Sequence, residues 1–562
     1  MKPEYHKAAN HKPLDHQCAA TTYRVGEEVR HRSFGVGVVT AIGNNAVVVR
    51  YGEQERTFAA QIAPLTKVGE AKLAEDVTDK PPPEKRPHRD RQSRPSRTRR
   101  SAPQLNRTTF SASRAAEYFD ARQLSTLTGV PTQEFANVIL KELVDNSLDA
   151  CETAGTSPEI SVAVGDGGTP GAIRIHVSDN GPGIPSDVVR SLLNYDVRVS
   201  DKAAYRSPTR GAQGNALKTV IGIPYALGSR EPLTVVARGG IKHTIRPNVD
   251  PAGNVRVDNN ESNVSPWASG TSVEVPVACG FVTDPDSEHL VQDFHPQHWV
   301  RSFAAFNPHA TFSYQAKSDA SEEGEIYKST CKGIKKYVPS QPTSPHWYSA
   351  ESLNVLVCSH IAHAHNGGQD LPLGTFVRQF AGLTSTKKAK AVCSALLQDL
   401  THLSDFEDKP EVVAQLLAAM KEEAKEPKAA SLGHVGKEHF LSFFESIYNV
   451  NEYTYVKRPG TLPSGLPFTF EFALAVLDEP GYLYCGINFS PTFGDPLEGT
   501  TLAGPEFRSR GIQGFLSQGH ALPTTDKAWF RTPASVAVAA HIVTPAPLFL
   551  DRGKTRLNME GA

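Results

Sequence analysis

The stretch Phe135-Ala-Asn-Val-Ile-Leu-Lys-Glu142-Leu-Val-Asp-Asn146-Ser-Leu-Asp149-Ala150 sets two carboxylates and an amide into an apolar periodicity. A helix over these residues puts Val138, Ile139, Glu142, Asn146 and Asp149 on or near one face. Polar neighbours one turn apart are common on exposed helices. On a face shared with Val138 and Ile139, however, unpaired polar groups are expensive, so a bound partner accounts for them better than solvent. Hydrolysis of a phosphoanhydride needs a base that positions water and an oxygen ligand for Mg2+, and Glu142 and Asn146 can supply one each.

Three further segments offer complementary chemistry. In Ile173-Arg-Ile-His-Val177-Ser-Asp179-Asn-Gly181-Pro-Gly183-Ile-Pro185 an alternating strand runs into a carboxylate and two glycines. Asp179 can accept from an exocyclic amine such as that of adenine, while Gly181 and Gly183 allow close backbone approach. Alone, Asp-Asn-Gly-Pro-Gly is also a good turn sequence. Arg210-Gly211-Ala-Gln213-Gly214-Asn215-Ala216, preceded by the charged stretch Ser200-Asp201-Lys202, resembles a glycine-rich turn that opens a helix and offers N–H groups to phosphate oxygens. Ser269-Gly270-Thr271 begins a late strand whose threonine hydroxyl can complete the contacts to a base. Each fragment is weak alone; the order is what distinguishes them.

ExxxNxxDA, DNGPGIP, RGxQG and GT follow the motif order of the GHKL superfamily, which comprises type II topoisomerases, MutL, heat-shock chaperone relatives and histidine kinases. The resemblance implies ATP and Mg2+ as cofactors. It makes Glu142 the general base, Asn146 the Mg2+ ligand and Asp179 the adenine reader, with Asp149, Gly181, Gly183 and Thr271 around the nucleotide. Lys202, Gly211, Gln213, Gly214 and Asn215 then belong to the lid over the phosphates. The flanking FSASRAAEYFDARQLSTL and the internal KELVDNSLDA resemble the B subunits of topoisomerase VI. The likeness continues colinearly through Asn307 to Phe312, Ser344 to His346, Thr375 to Phe380, Leu432 to Glu438, Arg458-Pro459 and Leu466 to Glu471. His541-Ile-Val-Thr-Pro545-Ala-Pro547 then leads to Lys554 as in the loop by which that family senses the γ-phosphate from a second domain. Two positions depart from the lid pattern: Asn215 stands where the family has an apolar residue and Ala216 where it has glycine. That family also continues beyond its lysine into a long helix that holds the cleavage subunit, whereas eight residues follow Lys554 here.

The resemblance implies an α+β chain: a GHKL (Bergerat) α/β sandwich, a helical helix–two-turns–helix insert and a transducer-like α/β domain of ribosomal S5-like fold, to which the alternating strands near the N-terminus add a small β-barrel. It further implies an ATP-dependent homodimer that clamps double-stranded DNA and works with a cleavage partner like the A subunits of topoisomerase VI. The alternative from another class is a non-topoisomerase GHKL clamp in DNA repair or mobile-element defence.

The elements that must position these groups fall into segments. At 562 residues the chain is long enough for three or four domains. Residues 1–22 read as a flexible leader. Residues 23–66 alternate in short glycine-punctuated strands, Glu28 to Arg30, Gly37 to Ala41 and Ala46 to Tyr51, with a Gly43-Asn44-Asn45 turn, and resemble a Tudor- or SH3-like module. Residues 67–107 form a basic linker, in which eight lysines and arginines face the single acid Asp90 between Lys85 and Arg100. Such a tether is a solvated spacer or a salt-sensitive contact with phosphates. The ATPase domain is expected over 108–280, the helical region over 281–450 and the transducer-like domain over 451–562.

With 59 basic and 60 acidic residues the formal charge is −1, so no global field announces nucleic acid or membrane as partner. Seven scattered cysteines without a CxxC pair fit a reducing compartment, and the absence of a long apolar run argues against membrane insertion, so a cytoplasmic location is expected. Cys358, His360, His363 and His365 have spacings that could serve zinc, although four ligands so close in sequence rarely reach tetrahedral geometry. The competing account is a strand-and-loop run of incidental histidines.

Overall fold

The computed structural model describes residues 25–26, 28–31, 35–43, 46–51, 54–59, 65–67, 113–168, 171–195, 204–210, 216–265, 269–278, 295–316, 324–396, 400–462, 464–479, 481–497, 535–549 and 557. The expected leader, nearly all of the basic linker, the Asn44-Asn45 turn, Lys202, Gly211, Gln213, Gly214, Asn215 and Lys554 lie outside the described residues. The chain divides into two units, residues 1–107 and 108–562.

The first unit is a five-stranded antiparallel sheet. Its order is Gln54–Ala59, Ala46–Tyr51, Gly35–Gly43, Glu28–His31, Leu65–Lys67. The three strands expected from alternation are present, and two more flank them. Period-two alternation brings Val29, Val39 and Val49 into a buried set. Gly37 is demanded by packing, since a Cβ there would sit 2.6 Å from the Tyr51 ring.

The second unit is built on an eight-stranded sheet. Its order is Val255–Asn263, Ile241–Val249, Leu233–Ala237, Ser272–Val277, Ile173–Asp179, Glu159–Asp166, Thr311–Ala316, Glu325–Tyr327. All neighbours are antiparallel except Thr311–Ala316, which runs parallel to Glu159–Asp166. Helix Phe135–Ala154 packs on this sheet, buries Phe135, Ile139, Leu140, Leu143 and Leu148, and stops at Gly155, whose φ of 71° makes a left-handed cap. Helix Ala216–Ala226 lies beside it and approaches the 114–119 turn so closely that a Cβ on Gly222 would meet the Tyr118 carbonyl oxygen at 1.9 Å.

Helices Pro296–Phe306, Ala350–His365, Leu373–Val377, Thr386–Ser394, Pro410–Glu423 and Lys437–Glu445 follow. Cys358, His360, His363 and His365 all lie on the Ala350–His365 helix, not on a strand and loop. At about 100° per residue they fall into two pairs on opposite sides, Cys358 with His365 and His360 with His363, and no metal-holding cluster of His, Cys, Asp or Glu occurs among the described residues. Ser349 caps that helix through a reciprocal pair with Ser352.

A second sheet closes the unit, in the order Val450–Thr461, Pro467–Leu477, Val536–Val543, Leu483–Ile487, Ser490–Pro491. Its central strand Val536–Val543 is buried throughout, as its almost wholly apolar run requires. The exception in that run is His541, whose Nδ1 lies 2.9 Å from Glu471 on the neighbouring strand, both side chains fully buried. Glu471 also accepts from the N–H groups of Val435 and Gly436 and from the Tyr455 hydroxyl. These bonds and His541 hold its carboxyl at about 2 despite burial. Among the described residues no helix is long and apolar enough to cross a membrane.

Candidate functional site

A cavity of about 660 Å³ opens between the Phe135–Ala154 helix, the sheet and the Ala216–Ala226 helix. Its walls are mostly apolar, with Leu143, Val177, Val189, Val220, Val235 and Val273 among them. Asn146, Ser147, Asp149, Asp179, Arg238 and Thr271 supply polar groups. A largely apolar cleft with a few convergent polar side chains is the usual form of a small-molecule site.

Asp179 ends the Ile173–Asp179 strand. Its Oδ1 accepts from the N–H groups of Gly181 at 2.9 Å and Thr271 at 3.2 Å, and its Oδ2 from the Ser147 hydroxyl at 3.1 Å. Burial raises this carboxyl above its ordinary range, while those bonds pull the other way. Oδ2 retains acceptor capacity beyond Ser147, which a base amine can take. Ser147 was not singled out from the sequence. Its signal was the position after Asn146, where the same helix turn presents a hydroxyl to the strand end.

The glycines around Asp179 answer to packing as much as to ligand approach. A Cβ on Gly270 would sit 1.7 Å from the Asp179 carbonyl oxygen, and one on Gly183 would sit 2.8 Å from the Gly270 carbonyl oxygen. Gly270 and Gly183 have φ of 88° and 74°, which other residues adopt only at a cost. The Thr271 hydroxyl accepts from the Ile184 N–H at 3.1 Å, and Arg238 Nε donates to the Pro182 carbonyl at 2.9 Å, so the loop is held from two sides. Asn180 serves the scaffold instead, accepting from the Glu159 N–H and donating to the Ser157 carbonyl. Burial pushes the neighbouring Cys151 thiol up to about 12, which makes it an inert packing group.

Glu142 and Asn146 come from the same helix. Asn146 is exposed and lines the cavity; Glu142 is half-buried and does not. Neither side chain is hydrogen-bonded among the described residues.

Asp149 lines the cavity too, but its carboxylate also meets Arg210 Nη1 at 3.1 Å. Arg210 is almost wholly buried. Its other partners are Glu152 at 2.9 Å, Asn307, the Phe489 carbonyl oxygen at 3.3 Å, and Asp145 at 3.6 Å. Glu152 further pairs with Lys336 and with His309 at 2.9 Å, and Asp145 pairs with Lys141 at 2.7 Å and with the Ser490 hydroxyl at 2.8 Å. The cations hold the Glu152 carboxyl well below its ordinary value, against burial. Desolvation and the Arg210 charge push the Lys336 amine down to about 7. Three acids spaced along one helix edge thus bind the last described residue before Gly211 to the C-terminal sheet. Sequence reasoning missed this cluster because its members lie hundreds of residues apart.

Residues 132–224 match the model of the histidine kinase-, DNA gyrase B- and HSP90-like ATPases. This is a GHKL ATPase domain. The chain is also similar to the B subunits of Type 2 DNA topoisomerase 6 from several archaea. It is 27% identical to that of Archaeoglobus fulgidus over 249 residues, 42% of this chain and 37% of the relative. It is 25% identical to that of Methanococcoides burtonii over 377 residues, 65% of this chain and 56% of the relative. The protein of Saccharolobus islandicus is 24% identical over 380 residues, 65% of this chain and 66% of the relative. The chain therefore spans between about a third and two thirds of these relatives' length. The ATPase region of Saccharomyces cerevisiae topoisomerase II aligns over 75% of this chain and 76% of that one, at 10% identity and a TM-score of 0.32.

Proposed function

We propose that the GHKL cavity binds ATP and that the chain hydrolyses it to gate a homodimeric clamp on double-stranded DNA. The observation that carries this reading is the Asp179 carboxylate on the cavity wall, held by Ser147, Gly181 and Thr271 with one acceptor site to spare, beside the exposed side chain of Asn146. Asp179 and Thr271 read the base, and Asp149, Gly181 and Gly183 shape the pocket around it. Glu142 orients and deprotonates the attacking water. The exposed Asn146 amide, without a partner among the described residues, fits an oxygen ligand for Mg2+, which when bound would neutralise charge on the phosphates. Lys202, Gly211, Gln213, Gly214 and Asn215 would cover the phosphates, and Lys554 would sense the γ-phosphate; these follow from the family resemblance alone.

By likeness to the topoisomerase relatives, the clamp works with a separate protein that cuts DNA. The test of the ATPase reading is Glu142→Ala: nucleotide binding should persist within a few-fold while turnover drops by at least about 100-fold, the scale of a lost general base. Unchanged turnover would remove Glu142 from the role. Supercoil relaxation in the presence of a cleavage partner then separates a topoisomerase from a clamp that only retains DNA.

A further inference from the structure

The buried cluster behind the cavity joins two parts of the second unit that the nucleotide chemistry does not by itself require to touch. On one side stands the helix edge Asp145, Asp149 and Glu152, one member of which also lines the cavity. On the other stands the two-residue turn between the strands Leu483–Ile487 and Ser490–Pro491. Asn488 and Phe489 there have φ of 49° and 66°, a conformation that a bulky residue keeps only when its surroundings impose it.

Those surroundings are specific. The Asn488 amide pairs with both backbone groups of Thr544, at 3.0 and 2.9 Å, which ties the turn to the end of the central strand. The Phe489 N–H donates to His541 Nε2 at 3.1 Å, and its ring packs 4.8 Å from the His541 ring and 4.7 Å from the Lys336 amine. Its carbonyl accepts from Arg210 Nε and from the Asn307 amide at 3.0 Å. Ser490, the next residue, reaches Asp145 directly. Arg210 stands between the turn and the helix with its rigid fork of donors divided between them.

We propose that Arg210 is a positioning residue for the ATPase reaction, holding the helix that carries Glu142 and Asn146 against the Asn488–Phe489 turn of the C-terminal sheet. This rests on the reading of the cavity as an ATP site. A buried charge network is satisfied only in the arrangement that pairs every member, and removing one partner leaves uncompensated charge. A shift of the C-terminal sheet therefore has to move the helix or break the cluster. The turn and Arg210 touch neither Asp179 nor Thr271, so base recognition is independent of them.

The test compares Arg210→Lys, Ser490→Ala and Asn488→Gly in the full chain with the unsubstituted protein. ATP turnover, the Kd of a fluorescent ATP analogue and thermal melting are read for each. Arg210→Lys keeps the charge but loses the fork. Ser490→Ala removes one hydroxyl, and Asn488→Gly keeps the left-handed turn while cutting its tie to Thr544; these two decide the matter should Arg210→Lys fail to fold. The expected result is a kcat lowered about 5- to 50-fold with the Kd held within about 2-fold, and non-additive losses in Arg210→Lys/Ser490→Ala, as for residues of one network. Unchanged kcat in the folded variants, or kcat and ATP affinity falling together in step with the melting temperature, overturns the positioning role and leaves the ATPase reading standing. An unsubstituted protein that neither binds nor hydrolyses ATP overturns both.

Discussion

Asp179 shows how much one side chain can be made to do. It is a strand terminus, the acceptor for two loop N–H groups and a helix hydroxyl, and a polar mark on an otherwise apolar wall. Replacing it with alanine deletes the carboxylate whose spare acceptor site faces a base, while Glu142 and Asn146 stay in place. We expect ATP affinity to fall about 10- to 100-fold, the worth of a hydrogen bond to a charged group, measured by titration of a fluorescent ATP analogue. Affinity unchanged within 2-fold would remove Asp179 from base recognition. Its own motif made it legible in the sequence. Ser147 was less so, because a serine inside a helix carries no signal until the strand it faces is known.

The loop and strand starts around the cavity depend on glycines whose necessity is geometric. Gly270 combines a positive φ with a backbone contact that excludes any Cβ. Gly270→Ala should cost about 2 kcal/mol or more in urea unfolding, from left-handed strain plus displacement of the Asp179 carbonyl. A cost below about 0.5 kcal/mol would mean that the loop relaxes freely. The pairing of Gly270 with Thr271 was readable as a strand start, but the clash that forbids a side chain belongs to the approach of two strands. The four ligand-like residues from Cys358 to His365 teach the reverse lesson. Their spacing invited a metal, yet the helix they occupy disperses them, and spacing alone does not encode that choice of backbone.

Across the second unit, burial makes stability depend on acidity. Desolvation pushes His298 down to about 3 and His439 down to about 4. His298 stacks on Tyr484, while His439 directs Nε2 at the carbonyls of Ala304 and Ala305. Both histidines stay neutral in the folded chain where an unfolded chain binds protons, so the unfolded state takes up more protons below about pH 6.5. Stability is therefore full above that pH and is lost as pH falls towards about 4, by at most about 1.4 kcal/mol per pH unit for each histidine. Glu471, held at about 2, extends the loss in the same direction below about pH 4.5. Melting temperature should hold from pH 7.5 to about 6.5 and then fall steadily to pH 4.5, and His298→Phe should flatten that slope. An equal slope in that variant would mean that His298 titrates normally.

Local order in the chain determined the nucleotide motif, the helix that bears it and the strand that ends at Asp179, because each depends on neighbours within a few residues. The short N-terminal strands were likewise written in alternation, although their two outer partners were not. Only the tertiary structure decided that Asp149 faces Arg210 as well as the cavity, that Glu471 pairs with His541, and that a strained turn near residue 488 abuts the motif helix. These contacts join residues tens to hundreds of positions apart. Charge pairs of that kind leave no periodicity in a sequence; they exist only once burial removes the water that would otherwise separate them.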